Sequence, residues 1–187
     1  MALGEVEKIV RHRFQHCQKL PVSAIVQSDE VRKLCERNSC GHYKKNWTCP
    51  PALPPLTELR EQFAAFDTIL VVYRVFKVKS SFDWKGMMAS TTQMKKAIQD
   101  IHRELSLTLS PHDFRVLGLG SCDLCPTCSY PDNDPCRFPD EAIISLEACG
   151  IDVMRLMNDH GMKYYHGENT ITLVGGILFH DSQQKPE

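Results

Sequence analysis

Thr68-Ile69-Leu70-Val71-Val72-Tyr73-Arg74-Val75-Phe76-Lys77-Val78 is the stretch that decides the fold. Its unbroken β-branched and aliphatic start, followed by alternation through Arg74 and Lys77, predicts a strand that is central at one end and half exposed at the other. Working outward, residues 87–109 carry Met94, Ile98, Ile101 and Leu105 at helical spacing and stop at Ser110-Pro111. Residues 114–119 form a second strand that runs into Gly120. Upstream, Thr57 is the expected cap of a helix over 58–66 with Leu59, Phe63 and Phe66 facing inward. Val6, Ile9, Val10 and Phe14 predict an amphipathic helix over 5–19 that ends before Pro21, then a short strand over 22–27. Ser28-Asp29 caps a brief helix leading into Cys35. Downstream, Pro139-Asp140-Glu141 opens a helix over 142–148 stopped by Gly150, and another covers 152–158. Residues 170–179 close the sheet, with a bulge or close backbone approach expected at Gly175-Gly176. Helices alternating with strands, with no repeat and no long linker, predict an α/β or α+β fold. The expected form is a small sandwich of a mixed sheet with flanking helices, residues 1–187 making one domain with two cysteine-rich loops.

Those loops hold seven of the nine cysteines. One run is Cys122-x2-Cys125-x2-Cys128-x7-Cys136; the other is Cys35-x4-Cys40-x8-Cys49. Both lie in irregular segments rich in Gly, Pro, Asn and Asp, where ligand loops lie and core thiols seldom do. A 187-residue chain that is 42% apolar buries a core without crosslinks, so the cysteines are not needed as staples. The acidic start, Met1-Ala2-Leu3-Gly4-Glu5, is unlike a signal peptide, and no stretch approaches membrane-spanning length. A cytoplasmic, reducing location and an odd cysteine count then favour metal ligands over disulfides. With 22 basic and 23 acidic residues and no basic stripe, nucleic acid is not an expected partner, nor is a membrane.

Spacing discriminates between metals. A structural zinc site joins two ligand pairs that lie a dozen or more residues apart, whereas a C-x2-C-x2-C run lets successive thiolates reach different irons of one cube and a more distant cysteine supply the last corner. Cys122, Cys125, Cys128 and Cys136 therefore read as ligands of a 4Fe-4S cluster, with zinc as the alternative. Cys136-Arg137-Phe138-Pro139 is similar to the Cys-Pro that closes bacterial ferredoxin runs, although the gap before Cys136 is longer. Gly118, Gly120 and Ser121 would let backbone amides point at sulfur. Cys35, Cys40 and Cys49 read as a second metal or cluster site with no evident fourth ligand. His42 is adjacent, and Cys17, His16 or Cys149 would have to arrive from afar. Left open, such a site offers an iron as a Lewis acid to a small substrate.

Other residues carry weaker signals. Tyr43 and Trp47 read as packing, with shielding of a cluster as the sharper role, and Lys44 and Lys45 as solvated charges that would also attract an anion. Glu147 and Asp152 read as helix caps around Gly150. Asp83-Trp84 follows the best strand, where α/β sheets place functional loops, though a structural role is the commoner one. Met87, Met88, Met94, Met154 and Met157 read as core. His12 and His16 read as a solvated pair on one helix face.

Three segments resemble the microbial family of predicted metal-binding proteins classed as a domain of unknown function: Cys35-Glu36-Arg37-Asn38-Ser39-Cys40-Gly41-His42-Tyr43-Lys44-Lys45-Asn46-Trp47-Thr48-Cys49-Pro50-Pro51, Gly118-Leu119-Gly120-Ser121-Cys122 through Pro139, and Ser145-Leu146-Glu147-Ala148-Cys149-Gly150-Ile151-Asp152-Val153. They occur in family order across nearly the whole chain, with His42 and Cys149 as departures. The resemblance implies metal binding and no defined reaction, and its frequency in anaerobes agrees with oxygen-sensitive clusters. Together these readings predict an iron-sulfur protein with one or two clusters, exchanging electrons with a redox partner protein or small molecule. An enzyme with an open iron and a zinc-stabilised interaction module are the alternatives.

Overall fold

The computed structural model describes residues 4–180, so Met1-Ala2-Leu3 and the tail after His180 lie outside the described residues. In chain order the elements are α1 (Gly4–Arg13), β1 (His16–Pro21), α2 (Asp29–Leu34), α3 (Leu56–Ala64), β2 (Thr68–Lys77), α4 (Trp84–Ser106), β3 (Phe114–Gly118), β4 (Ile144–Ser145), α5 (Val153–Asp159) and β5 (Thr170–Phe179). The five strands form one mixed sheet in the order β1-β2-β5-β3-β4, antiparallel throughout except for β3 beside β4.

β2 is an interior strand between β1 and β5 and behaves as its sequence predicts, buried from Thr68 to Val72 and partly exposed beyond. Period-two alternation sends Ile69 and Val71 into one core with Leu59, Phe63, Leu146, Leu156 and Met157, and Leu70 and Val72 into the other with Val10, Phe14, Met94, Ile101 and Leu105. Helices α3 and α5 cover the first face, and α1 and α4 the second. The apolar start of β2 is continuous because both of its faces are packed.

Several local expectations are corrected. The first helix ends at Arg13, not Lys19, because residues 16–21 pair with β2 in the register His16↔Tyr73 to Pro21↔Thr68, and Arg74 donates a 2.9 Å hydrogen bond to the Arg13 carbonyl. His16 therefore leaves the helix face of His12 and stacks on Tyr73, ring centres 4.6 Å apart. Val22–Ala24 is a 3-10 turn, and the expected strand over 22–27 keeps one bridge, Gln27 to Ile151. Helix α3 starts behind Pro55 and not at a Thr57 cap. Asp83 is the cap of α4, accepting from the Gly86 amide at 3.0 Å, while Trp84 is exposed. No helix covers 142–148: Ile144 and Ser145 pair with the free edge of β3, and a 3-10 turn follows at Glu147–Cys149. Of the methionines, Met94 and Met157 are core, but Met88 and Met154 are exposed. At Gly175-Gly176 the ladder runs without a bulge, and close approach is the reason for glycine: a Cβ on Gly175 would lie 2.7 Å from Ile98 Cδ1 and 3.1 Å from the Leu117 carbonyl.

Candidate metal centre

Two loops lie at one end of the sheet framework. The first follows α2, whose cap Ser28 accepts from the Glu30 amide, and passes through Cys35 into residues 38–55. The second leaves the end of β3 through Gly120, whose φ of +62° a residue with a Cβ adopts only under strain. All nine cysteines are free thiols; Cys40 is exposed, Cys149 buried and the rest half buried.

Cys122, Cys125, Cys128 and Cys136 line a single recess. The recess is completed by Asn46, Trp47 and Thr48, which belong to the other cysteine loop. Among the described residues no three His, Cys, Asp or Glu side chains are gathered closely enough to hold a single metal ion. The Cys122 thiol is pushed up by burial, which the Leu124 amide opposes by donating to its sulfur.

Hydrogen bonds lock the loops together. Asn46 donates to the Cys122 carbonyl at 3.0 Å, and the Thr48 hydroxyl accepts from the Cys122 amide at 3.0 Å while donating to Asn46 Oδ1 at 2.9 Å. Both side chains are buried, at 5% and 2% exposure, so each bond is shielded from competing water. Cys49 follows Thr48 directly in the chain, so this one residue ties a cysteine of the first loop to Cys122 of the second. Trp47 Nε1 donates to Ser129 Oγ and to the Asp134 carbonyl, and its ring meets Tyr130 edge-on at 4.9 Å. Trp47 thus walls the recess of the opposite loop. Asn46 and Thr48 were not singled out by sequence; their position between cysteines was the available signal.

Cys35, Cys40 and Cys49 influence one another electrostatically. Cys49 is pushed up to about 11 by burial and then by Cys40 and Cys35; Cys35 is raised by burial, then by Cys40 and Glu147. Glu147 therefore does not cap α5, a role that Asp152 fills by accepting from Arg155 N at 3.0 Å. Its carboxylate reaches solvent yet is crowded by protein on most sides, and that crowding raises its pKa. The turn bearing it is held against the start of α2 by Ser28 N donating to Gly150 O at 2.7 Å and by Gln27 Nε2 donating to Cys149 O at 2.8 Å.

The distant candidates for a fourth ligand separate. Cys149 lies in the core at 1% exposure, its thiol pushed up to about 12 by burial. Cys17 sits on β1 against the α1–α4 face, its thiol pushed up to about 11 by burial. His42 is exposed, and so are Lys44, whose ammonium lies 5.6 Å from the Tyr43 ring centre, and Lys45.

Fold and site together define a cysteine-rich α/β protein in which two thiol loops interlock at the end of a mixed sheet. Residues 18–179 match the model of the family described as "Predicted metal-binding protein (DUF2284)", and the chain belongs to that family. No curated protein and no solved structure matches it. No helix among the described residues is long and apolar enough to cross a membrane.

Proposed function

We propose that this protein carries a 4Fe-4S cluster on Cys122, Cys125, Cys128 and Cys136, holds a second metal or cluster on Cys35, Cys40 and Cys49, and works in electron transfer with a redox partner in a reducing cytoplasm. The observation that carries the reading is the shared recess of the four cysteines, closed by Asn46, Trp47 and Thr48. The donor set fits: four thiols on one irregular loop, with a backbone amide aimed at one sulfur. A multi-iron centre takes each thiolate to a different iron, and so tolerates sulfurs that share a recess without meeting at one point; zinc would need all four about 2.3 Å from that point. Bound there, the cluster supplies reversible one-electron chemistry.

The residues do the rest. Trp47 and Phe138 wall the recess with apolar surface, and that lower dielectric favours a state of small net charge. Thr48 and Asn46 set the spacing between the loops and offer a short hydrogen-bonded path from Cys49 to Cys122. The raised thiols are protonated at neutral pH, so metal loading must release protons. A second reading, in which the three-cysteine site is open to a small substrate, is favoured by the exposure of Cys40 and the nearness of Glu147 to Cys35.

Anaerobic purification followed by iron, sulfide and zinc analysis tests the proposal. Iron and sulfide in near-equal amounts are expected, with the share of the four-cysteine recess lost on Cys122→Ala. Stoichiometric zinc without sulfide refutes it in favour of a zinc-stabilised module.

A further inference from the structure

We propose that the groove between α4 and the loop after β3 is a binding site for a small carboxylic acid with an apolar body. It encloses about 320 Å³, at the small end of ligand sites, which run from about 300 to 1,000 Å³. It lies beyond the carboxyl end of β3, where open α/β sheets leave room for ligands. Thr92, Lys95, Gln99 and Arg103 share one stripe of α4 and form a wall, while Ile98, Leu119 and Ile143 supply the apolar surface.

Lys95 is the group that selects the ligand. Its side chain is 21% exposed, and its ammonium donates to the Ser121 carbonyl and to Asp123 Oδ2 at 3.1 Å. An ammonium has three donors, so one remains for a ligand. Asp123 is 66% exposed, and its hold on Lys95 is weakened by solvent enough for an entering carboxylate to compete. Lys96 is paired with Asp100 at 3.1 Å and Arg103 with Glu141 at 2.7 Å, which leaves the Lys95 ammonium as the group with a donor to spare for a ligand. A single ammonium over an apolar floor suits a monoanion with a hydrocarbon body, whereas the other cations of the lining are held by Asp100 and Glu141 and do not supply the dense free donors that a nucleotide or sugar phosphate requires. Cys122 also lines the groove, so the acid would lie beside the proposed cluster. That link to redox chemistry rests on the proposed function; the binding site itself rests on the cavity alone.

Calorimetric titration of anaerobically purified protein with benzoate, and with benzamide as the neutral isostere, tests the proposal. Benzoate should bind saturably and at least tenfold more tightly than benzamide. Lys95→Gln keeps an amide donor for the Ser121 carbonyl but removes the charge; it should weaken benzoate about tenfold, the size of one charge-assisted hydrogen bond, and leave benzamide unchanged. Ile143→Trp, which fills the groove from its half-buried rim, should abolish both. Thermal unfolding like that of the wild type shows that each variant is folded. No benzoate binding, equal binding of benzamide, or binding that survives Ile143→Trp overturns the proposal. Protein that lacks iron but binds benzoate as described would sink the proposed function and leave this site standing.

Discussion

Replacing Thr48 by Val keeps the side chain's shape and removes the hydroxyl that joins Asn46 of one cysteine loop to the Cys122 amide of the other. In the wild type that oxygen accepts from the Cys122 amide at 3.0 Å and donates to Asn46 Oδ1 at 2.9 Å. Asn46 Oδ1 still receives the residue 48 amide, at 3.0 Å in the wild type, so the principal loss is the Cys122 N–H, left without its acceptor beneath Trp47. An orphaned buried donor costs about 1–3 kcal/mol; because Cys122 is only half buried, the lower part of that range, about 1–2 kcal/mol, is expected. For a chain of this length each kcal/mol moves the melting temperature by about 2–4 °C, which predicts a fall of about 2–8 °C. Thermal unfolding under anaerobic conditions measures it, and hydrogen exchange at the Cys122 amide reads the bond directly. Metal content should fall with it, because ordering the ligand loop and binding the metal are one free energy. Thr48→Ser, which keeps the hydroxyl, should retain both metal and amide protection. A Thr48→Val protein that melts, exchanges and loads metal like the wild type would falsify the view that this residue joins the two loops.

Cys125→Ala should remove the metal of the four-cysteine recess while far-UV circular dichroism stays close to native, because both cores are built without that loop; unchanged iron and sulfide would rule out the ligand assignment. Metal-free protein should hold constant stability up to about pH 9 and then lose it. The unfolded chain releases thiol protons near the ordinary 9.0, whereas folded Cys17 and Cys49 hold theirs to about 11 and Cys149 to about 12, so the folded state binds more protons across that window. Urea midpoints at successive alkaline pH values check this, and Cys149→Val should flatten the slope; an unchanged slope removes Cys149 as its cause. Gly175→Ala should destabilise by about 1–3 kcal/mol through overpacking, since its Cβ would meet Ile98 Cδ1 at 2.7 Å. Adding Ile98→Val, which deletes that atom, should recover part of the loss in a denaturant titration; strict additivity of the two changes would show that the contact is not the cause.

What the sequence determined by itself was whatever depends on local pattern. The continuous apolar start of residues 68–78 identified an interior strand because both of its faces are packed, and the 3.6-residue period of Met94, Ile98, Ile101 and Leu105 identified the long helix. Cys122, Cys125 and Cys128, close in sequence, line one recess because a tight loop keeps near neighbours together. Tertiary structure decided the rest. The polar residues His16, Gln18 and Lys19 form an edge strand only because β2 presents a free edge to them, and the segment after Pro139 trades its helical pattern for two pairs with β3. The union of two cysteine loops some seventy residues apart rests on hydrogen bonds from Asn46 and Trp47 and to Thr48, which leave no period or composition in the chain. Likewise Glu147 reads as a cap from its neighbours, and its charge raises the Cys35 thiol because the turn that bears it docks beside α2. Contacts between distant segments are set by how the faces of the sheet are covered, and a linear pattern records the faces without recording which segments meet across them.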